Sequence, residues 1–250
     1  MNYPAVSNFG DSNSGTGGFG PRQPKPTNAK NRFCDAKNES ERAMFARPED
    51  FGKALYTFDI GQNDVTDEQL LLMNLEHFRP IITDMIDQFA SAVQNIYHQE
   101  GRTFQIHKTG PFGCLPFYVI PNRTSTVHDE NGCVKSRNNI AIEFNRQLKK
   151  KVNKLRTELM ETVITYIDIY AAKYALISNA KNLGFDDPFD YCCGGDKQKP
   201  DSAFCGEKNN KTQVFGVGCQ NPSKFVSWDS VHYTQAANKW VFNQIFDVCS

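Results

Sequence analysis

The sequence predicts an α/β layered fold built on a parallel sheet, on three observations. Short runs of apolar and aromatic residues end at glycines or other turn residues. Between them lie longer stretches whose apolar residues recur at steps of three and four. The two patterns alternate along the chain, as they do where strands reach parallel neighbours through helical crossovers.

Each element follows from its residues. Residues 4–9 form a short strand ending at the Gly10 turn. Residues 14–53 are mostly polar, hold Pro21, Pro24 and Pro26 close together, and carry no core element. That is long for an unstructured connection in a compact domain. "ALYTFDI" at 54–60 is a buried strand rich in aromatics and bounded by Gly61. Leu71, Leu75, Phe78, Ile82, Met85, Phe89, Val93 and Ile96 then mark an amphipathic helix, expected to break or kink before Pro80. "TFQIHK" at 103–108 is the next strand, ended by "TGPFGCLP". Phe144, Leu148, Val152, Leu155 and Leu159 mark a second helix. "TVITYIDIY" at 162–170 is a further strand, followed by a helix through "AAKYALISNAKNLG". A Cys- and Gly-rich loop fills roughly 184–224, and a last helix spans 234–247 with Ala237, Trp240, Val241 and Ile245 on one side.

At 250 residues the chain suits one medium domain with a proper core. Lys+Arg 28 balances Asp+Glu 28, which argues against a nucleic-acid partner, and the apolar runs are too short for a membrane span. Eight cysteines, Cys34, Cys114, Cys133, Cys192, Cys193, Cys205, Cys219 and Cys249, form no zinc-type pair of C-x-x-C units. Disulfides in an oxidising compartment are the better reading. The sequons at Asn38, Asn122 and Asn210 point the same way. Residues 1–9 lack the basic and apolar regions of a secretory signal, so the interior reads as secreted and the start does not.

In an open parallel sheet, ligands sit beyond the carboxyl ends of the strands. Three polar clusters occupy such places: Asp11-Ser12-Asn13, Gly61-Gln62-Asn63-Asp64, and Trp228-Asp229-Ser230-Val231-His232. A serine hydroxyl needs a base, and His232 can be that base for Ser12, with Asp229 three residues earlier orienting the imidazole. The N–H of Ser12 and the amide of Asn63 are candidate oxyanion donors. Taken singly, each piece has a plainer meaning. Gly-Asp-Ser is more often a turn, Asp-x-x-His is usually a capping or surface pair, and Asn63 with Asp64 suits a helix start. His77, His98, His107 and His128 read as structural or exposed. The signal is the combination and its order.

That combination resembles the GDSL esterases/lipases, the SGNH hydrolases, in their plant branch. "FGDSNSGTGG" looks like the first block, "LYTFDIGQND" like the third, and "HKTGPFGCLP" and "VSWDSVHYTQAANKWVFNQI" like later plant-type segments. The match is closest to the early-nodulin-like and acetylesterase subgroup, some of whose members carry an α-fucosidase label. The resemblance implies a flavodoxin-like three-layer α/β/α sandwich with a parallel sheet. It also implies a Ser12–His232–Asp229 triad, an oxyanion hole from Ser12 and Asn63, and no metal or organic cofactor. The implied substrate is a small-molecule acyl ester of a lipid, glycoside or cell-wall sugar, and the implied location is extracellular.

The likeness lapses between the first and third blocks, where only 50 residues separate Ser12 from Asn63. Family members have a longer segment there, with a second strand and a glycine supplying a further oxyanion donor. The expectation is therefore a single hydrolase domain over 1–250, shortened near 20–36 and missing its edge second strand. Such a sheet survives but is less stable and more prone to edge association. Losing one oxyanion donor costs about 2.7–4 kcal/mol, roughly 10²–10³ in turnover. The rival readings are a truncated, impaired or inactive family member and, less favoured, a glycosidase using Asp11 and Asp64.

Overall fold

The computed structural model describes residues 3–10, 47–66, 75–124, 127–200, 203–208, 213 and 215–247. Asp11, Ser12, Asn13, Cys34, Asn38, Asn210 and Cys249 lie outside them. The chain divides into two compact units, Met1–Asn63 with Arg79–His107 and Gln147–Ile167, and Asp64–Phe78 with Lys108–Arg146 and Asp168–Ser250.

The first unit holds the sheet. Among the described residues it has four strands, β1 (Val6–Gly10), β2 (Leu55–Asp59), β3 (Thr103–His107) and β4 (Val163–Ile167). They are parallel and lie in chain order, in register from Val6↔Leu55 to Thr103↔Val163. This is the order a 2-1-3-4-5 sheet has without its second strand. Burial alternates along β2 and β3, with Tyr56, Phe58, Phe104 and Ile106 inside. The β1 strand is different: Val6 is 61% exposed and Phe9 43%, although the Phe9 ring stacks on Phe58 at 5.1 Å.

Apart from the one-turn helices α1 (Gln62–Val65) and α3 (Pro116–Val119), helices α2 (Leu75–His98) and α4 (Lys135–Glu158) contribute buried Ile82, Ile86, Phe89 and Val93, and Leu148, Val152 and Leu155, to this unit. The two helices are tied by Thr83 Oγ1 donating to Gln147 Oε1 at 2.8 Å and by the Lys151–Asp87 ion pair. The expected break before Pro80 does not occur; α2 runs through it. Proline forfeits one i→i−4 bond, and the buried row that follows outweighs this loss.

Boundaries moved where polar residues intervened. The 162–170 strand ends at Ile167, because the Asp168 side chain accepts from Ala171 N–H at 3.0 Å and caps helix α5 (Ile169–Asn179). Helix α4 starts nine residues before Phe144, and its first turns bury Asn138 beside Ile140 and Ala141. Asn138 Oδ1 accepts from Gly113 N–H at 2.9 Å, a close approach only glycine permits, as a Cβ there would lie 2.4 Å from Val134 O. Within 14–53, the described part is a 3₁₀ helix over Pro48–Lys53.

In the second unit a core is shared by α5 and helix α6 (Gln235–Asp247), where Leu176, Ile177, Ala237 and Val241 meet Phe185 and Val226. The Cys114–Cys133 disulfide is itself part of that core. Among the described residues, no helix is long and apolar enough to cross a membrane.

Candidate active site

Residues 226–234 turn back on themselves before α6. Thr234 N–H donates to Val226 O at 2.9 Å and Trp228 N–H to His232 O at 2.7 Å, closing a loop that contains Asp229. Inside it, Asp229 Oδ1 accepts from Val231 N–H at 3.1 Å and from His232 N–H at 2.7 Å. Short carboxylates cap such turns readily. The loop closes because Ser230 adopts φ +78°, the left-handed region that side chains avoid. The Ser230 carbonyl is held by Phe117 N–H at 3.2 Å, and its hydroxyl is buried with no hydrogen-bond partner among the described residues.

The second carboxylate oxygen takes the imidazole. His232 Nδ1 lies 2.7 Å from Asp229 Oδ2, with the side chains 34% and 21% exposed. Burial pushes the Asp229 carboxyl up. The hydrogen bonds from the His232 ring and main chain, the His232 charge and the Val231 N–H together outweigh burial and hold it below its ordinary value. An ionised Asp229 requires a donor, which puts the His232 proton on Nδ1 and leaves Nε2 as the basic nitrogen. This arrangement can take a proton at Nε2 and stabilise the resulting imidazolium.

Asn63 belongs to the sheet unit, in the one-turn helix α1 (Gln62–Val65) directly beyond β2, and its side chain is exposed, as is that of Asp64. Gly61, at φ +101°, makes the turn off the strand. Ser12, with Asp11 and Asn13, lies outside the described residues. Of the remaining histidines, His77 and His98 are exposed on α2, while His107 ends β3 and His128 bridges to Val134, both partly buried.

Sequence reasoning missed what supports the dyad. Cys192 pairs with Cys219 and Cys193 with Cys205, pairings that cysteine spacing left open. The vicinal cysteines were a visible signal for two separate bridges; the left-handed Ser230 and the Phe117 contact had none.

The chain matches the family model described as GDSL-like Lipase/Acylhydrolase over residues 27–245, a span that includes Asn63, Asp229 and His232 and begins after Ser12. It is 48% identical over 213 residues to a GDSL esterase/lipase of Arabidopsis thaliana, covering 84% of this chain and 54% of that protein. It is 42% identical over 211 residues to Alpha-L-fucosidase 3 of Arabidopsis thaliana, covering 82% and 55%. It is 40% identical over 197 residues to GDSL esterase/lipase ENOD8 of Medicago truncatula, covering 78% and 51%. The chain thus spans about half the length of the curated relatives it matches. With the bulk of its length inside the family model and plant relatives of the expected subgroup, the chain belongs to the GDSL-like lipase/acylhydrolase family.

Proposed function

We propose that this chain hydrolyses carboxylic esters through Ser12, His232 and Asp229, as a single hydrolase domain shortened near 20–36. The observation that carries the reading is the 2.7 Å contact between His232 Nδ1 and Asp229 Oδ2. In this mechanism His232 Nε2 takes the Ser12 Oγ proton as that oxygen attacks the acyl carbonyl. The N–H of Ser12 and the side-chain amide of Asn63 stabilise the tetrahedral oxyanion. The imidazolium protonates the departing alcohol, and water, activated the same way, releases the acid and restores Ser12. The substrate class is an acylated lipid, glycoside or cell-wall sugar, met in an oxidising extracellular compartment that suits the disulfides. Turnover is expected about 10²–10³ below a full-length relative, if the third oxyanion donor is missing.

A relative named as an α-L-fucosidase raises a second reading, glycoside cleavage. Canonical glycosidases place two carboxyl groups about the scissile bond. The carboxylates that reading would use are Asp11, which lies outside the described residues, and Asp64, whose side chain is exposed in α1, and the ester-hydrolase reading is preferred because it accounts for both turns without them. The test is p-nitrophenyl acetate against p-nitrophenyl fucoside, with Ser12→Ala as control. The expected result is ester turnover that Ser12→Ala abolishes. Ester turnover surviving that substitution rejects the mechanism, and a folded chain with no turnover is an inactive family member.

A further inference from the structure

The main chain leading into the dyad is held from outside. Tyr191 and Ser227 form a parallel bridge and Ser227 and Tyr233 an antiparallel one, so three short segments lie side by side. Cys192 N–H donates to Ser227 O at 3.1 Å, and Cys193 N–H to Trp228 O at 2.5 Å. Those two acceptor residues hold His232: Trp228 N–H and Ser227 Oγ both donate to its carbonyl, at 2.7 and 3.2 Å. Isolated bridges of this kind have little stability of their own. What anchors them is covalent. The buried sulfurs of Cys192 and Cys193 are bonded to Cys219 and Cys205, closing loops of separation 27 and 12, and Cys219 N–H donates back to Cys192 O at 2.9 Å.

We propose that Cys192 and Cys193 are positioning residues. Their disulfides hold the main chain at Ser227 and Trp228, keep the His232 imidazole on Asp229, and make the dyad sensitive to thiol reductants. The kinetic consequence rests on the ester-hydrolase reading; the geometric one does not. A dithiol gives two electrons and two protons to each bridge and closes to its own cyclic disulfide, leaving two protein thiols per bridge. A disulfide acting only through the unfolded state would lower stability without moving the dyad.

The experiment follows the Nδ1 proton resonance of His232 in the full chain labelled with ¹⁵N-histidine. It compares the oxidised chain with Cys192→Ala/Cys219→Ala, Cys193→Ala/Cys205→Ala and the combination of all four. The expected result is loss of the resonance in the fourfold variant while circular dichroism keeps the helical signal. On p-nitrophenyl acetate, kcat should fall about 10- to 100-fold with KM unchanged within about twofold. A resonance that survives with both bridges gone overturns the proposal. If the fourfold variant does not fold, the oxidised chain is titrated with dithiothreitol while mass spectrometry counts thiols at these cysteines and circular dichroism follows the helical signal. Persistence of the resonance after all four are reduced, or its loss only together with the helical signal, overturns the proposal, and its loss with that signal kept, reversed by reoxidation, supports it. A chain without ester turnover in any form defeats the functional reading alone, because the resonance still decides this one.

Discussion

In the sheet unit, Tyr56, Phe58, Phe104 and Ile106 are buried on strands joined by continuous parallel ladders. Between residues 191 and 233 of the other unit, pairing is reduced to isolated bridges, and two disulfides anchor the segment that ends in Asp229 and His232. The sheet is stable because many weak apolar contacts add up, and no single atom pair is indispensable to its geometry. The dyad region also buries Tyr191 and Val226, but it has no continuous ladder among the described residues. Its geometry depends on individual hydrogen bonds, one strained residue and covalent tethers, which suits a site that must hold one imidazole in one orientation.

The sharpest break between the regions is functional. His232→Ala should lower kcat for ester hydrolysis by about 10⁶ and leave the sheet untouched, read as unchanged circular dichroism. In the sheet, Phe104→Ala should cost about 3–5 kcal/mol in urea unfolding, with or without reductant. By contrast, removing the Cys192–Cys219 bridge should cost about 2–4 kcal/mol, a difference that disappears when the wild type is itself reduced. If reductant changes the Phe104→Ala penalty as well, the two regions do not behave independently.

Acid separates them next. Asp229 is held below its ordinary value near 3.8, so it contributes stability above the unfolded-state value that is lost as pH falls through the lower folded value. Asp229→Asn should therefore be less stable than wild type at neutral pH. The gap should narrow below about pH 4 in melting temperatures taken across the acid range. The smallest effect is expected at Ser230, whose φ of +78° and buried, unpartnered hydroxyl are both unfavourable. Ser230→Gly should raise stability by about 1 kcal/mol, and a loss instead would show that the hydroxyl has a partner.

Much of the sheet was legible in the residues because strand and helix periods are local. "ALYTFDI" and "TFQIHK" alternate apolar residues that sit inside, and the steps of three and four after Leu71 are the buried face of α2. Pro80 misled because a local rule about one missing N–H was overruled by a buried row four turns long. The start of α4 was hard to place because its first turn is polar, and the buried contact there is made by Asn138 with the Gly113 main chain. At the candidate site, Asp229 and His232 were readable because three residues of turn are enough to bring a carboxylate within reach of an imidazole, although distant segments hold the main chain of that turn.

By itself, then, the sequence determined the alternation of strands and helices, from which the parallel sheet follows, and the nearness of Asp229 to His232, because period and spacing are set by neighbours within a few residues. Tertiary structure alone decided which cysteines bond, that Ser230 is forced left-handed, and that Cys192 and Cys193 clamp the chain before the dyad. These depend on segments dozens of residues apart meeting in space, and no local period or propensity encodes that meeting.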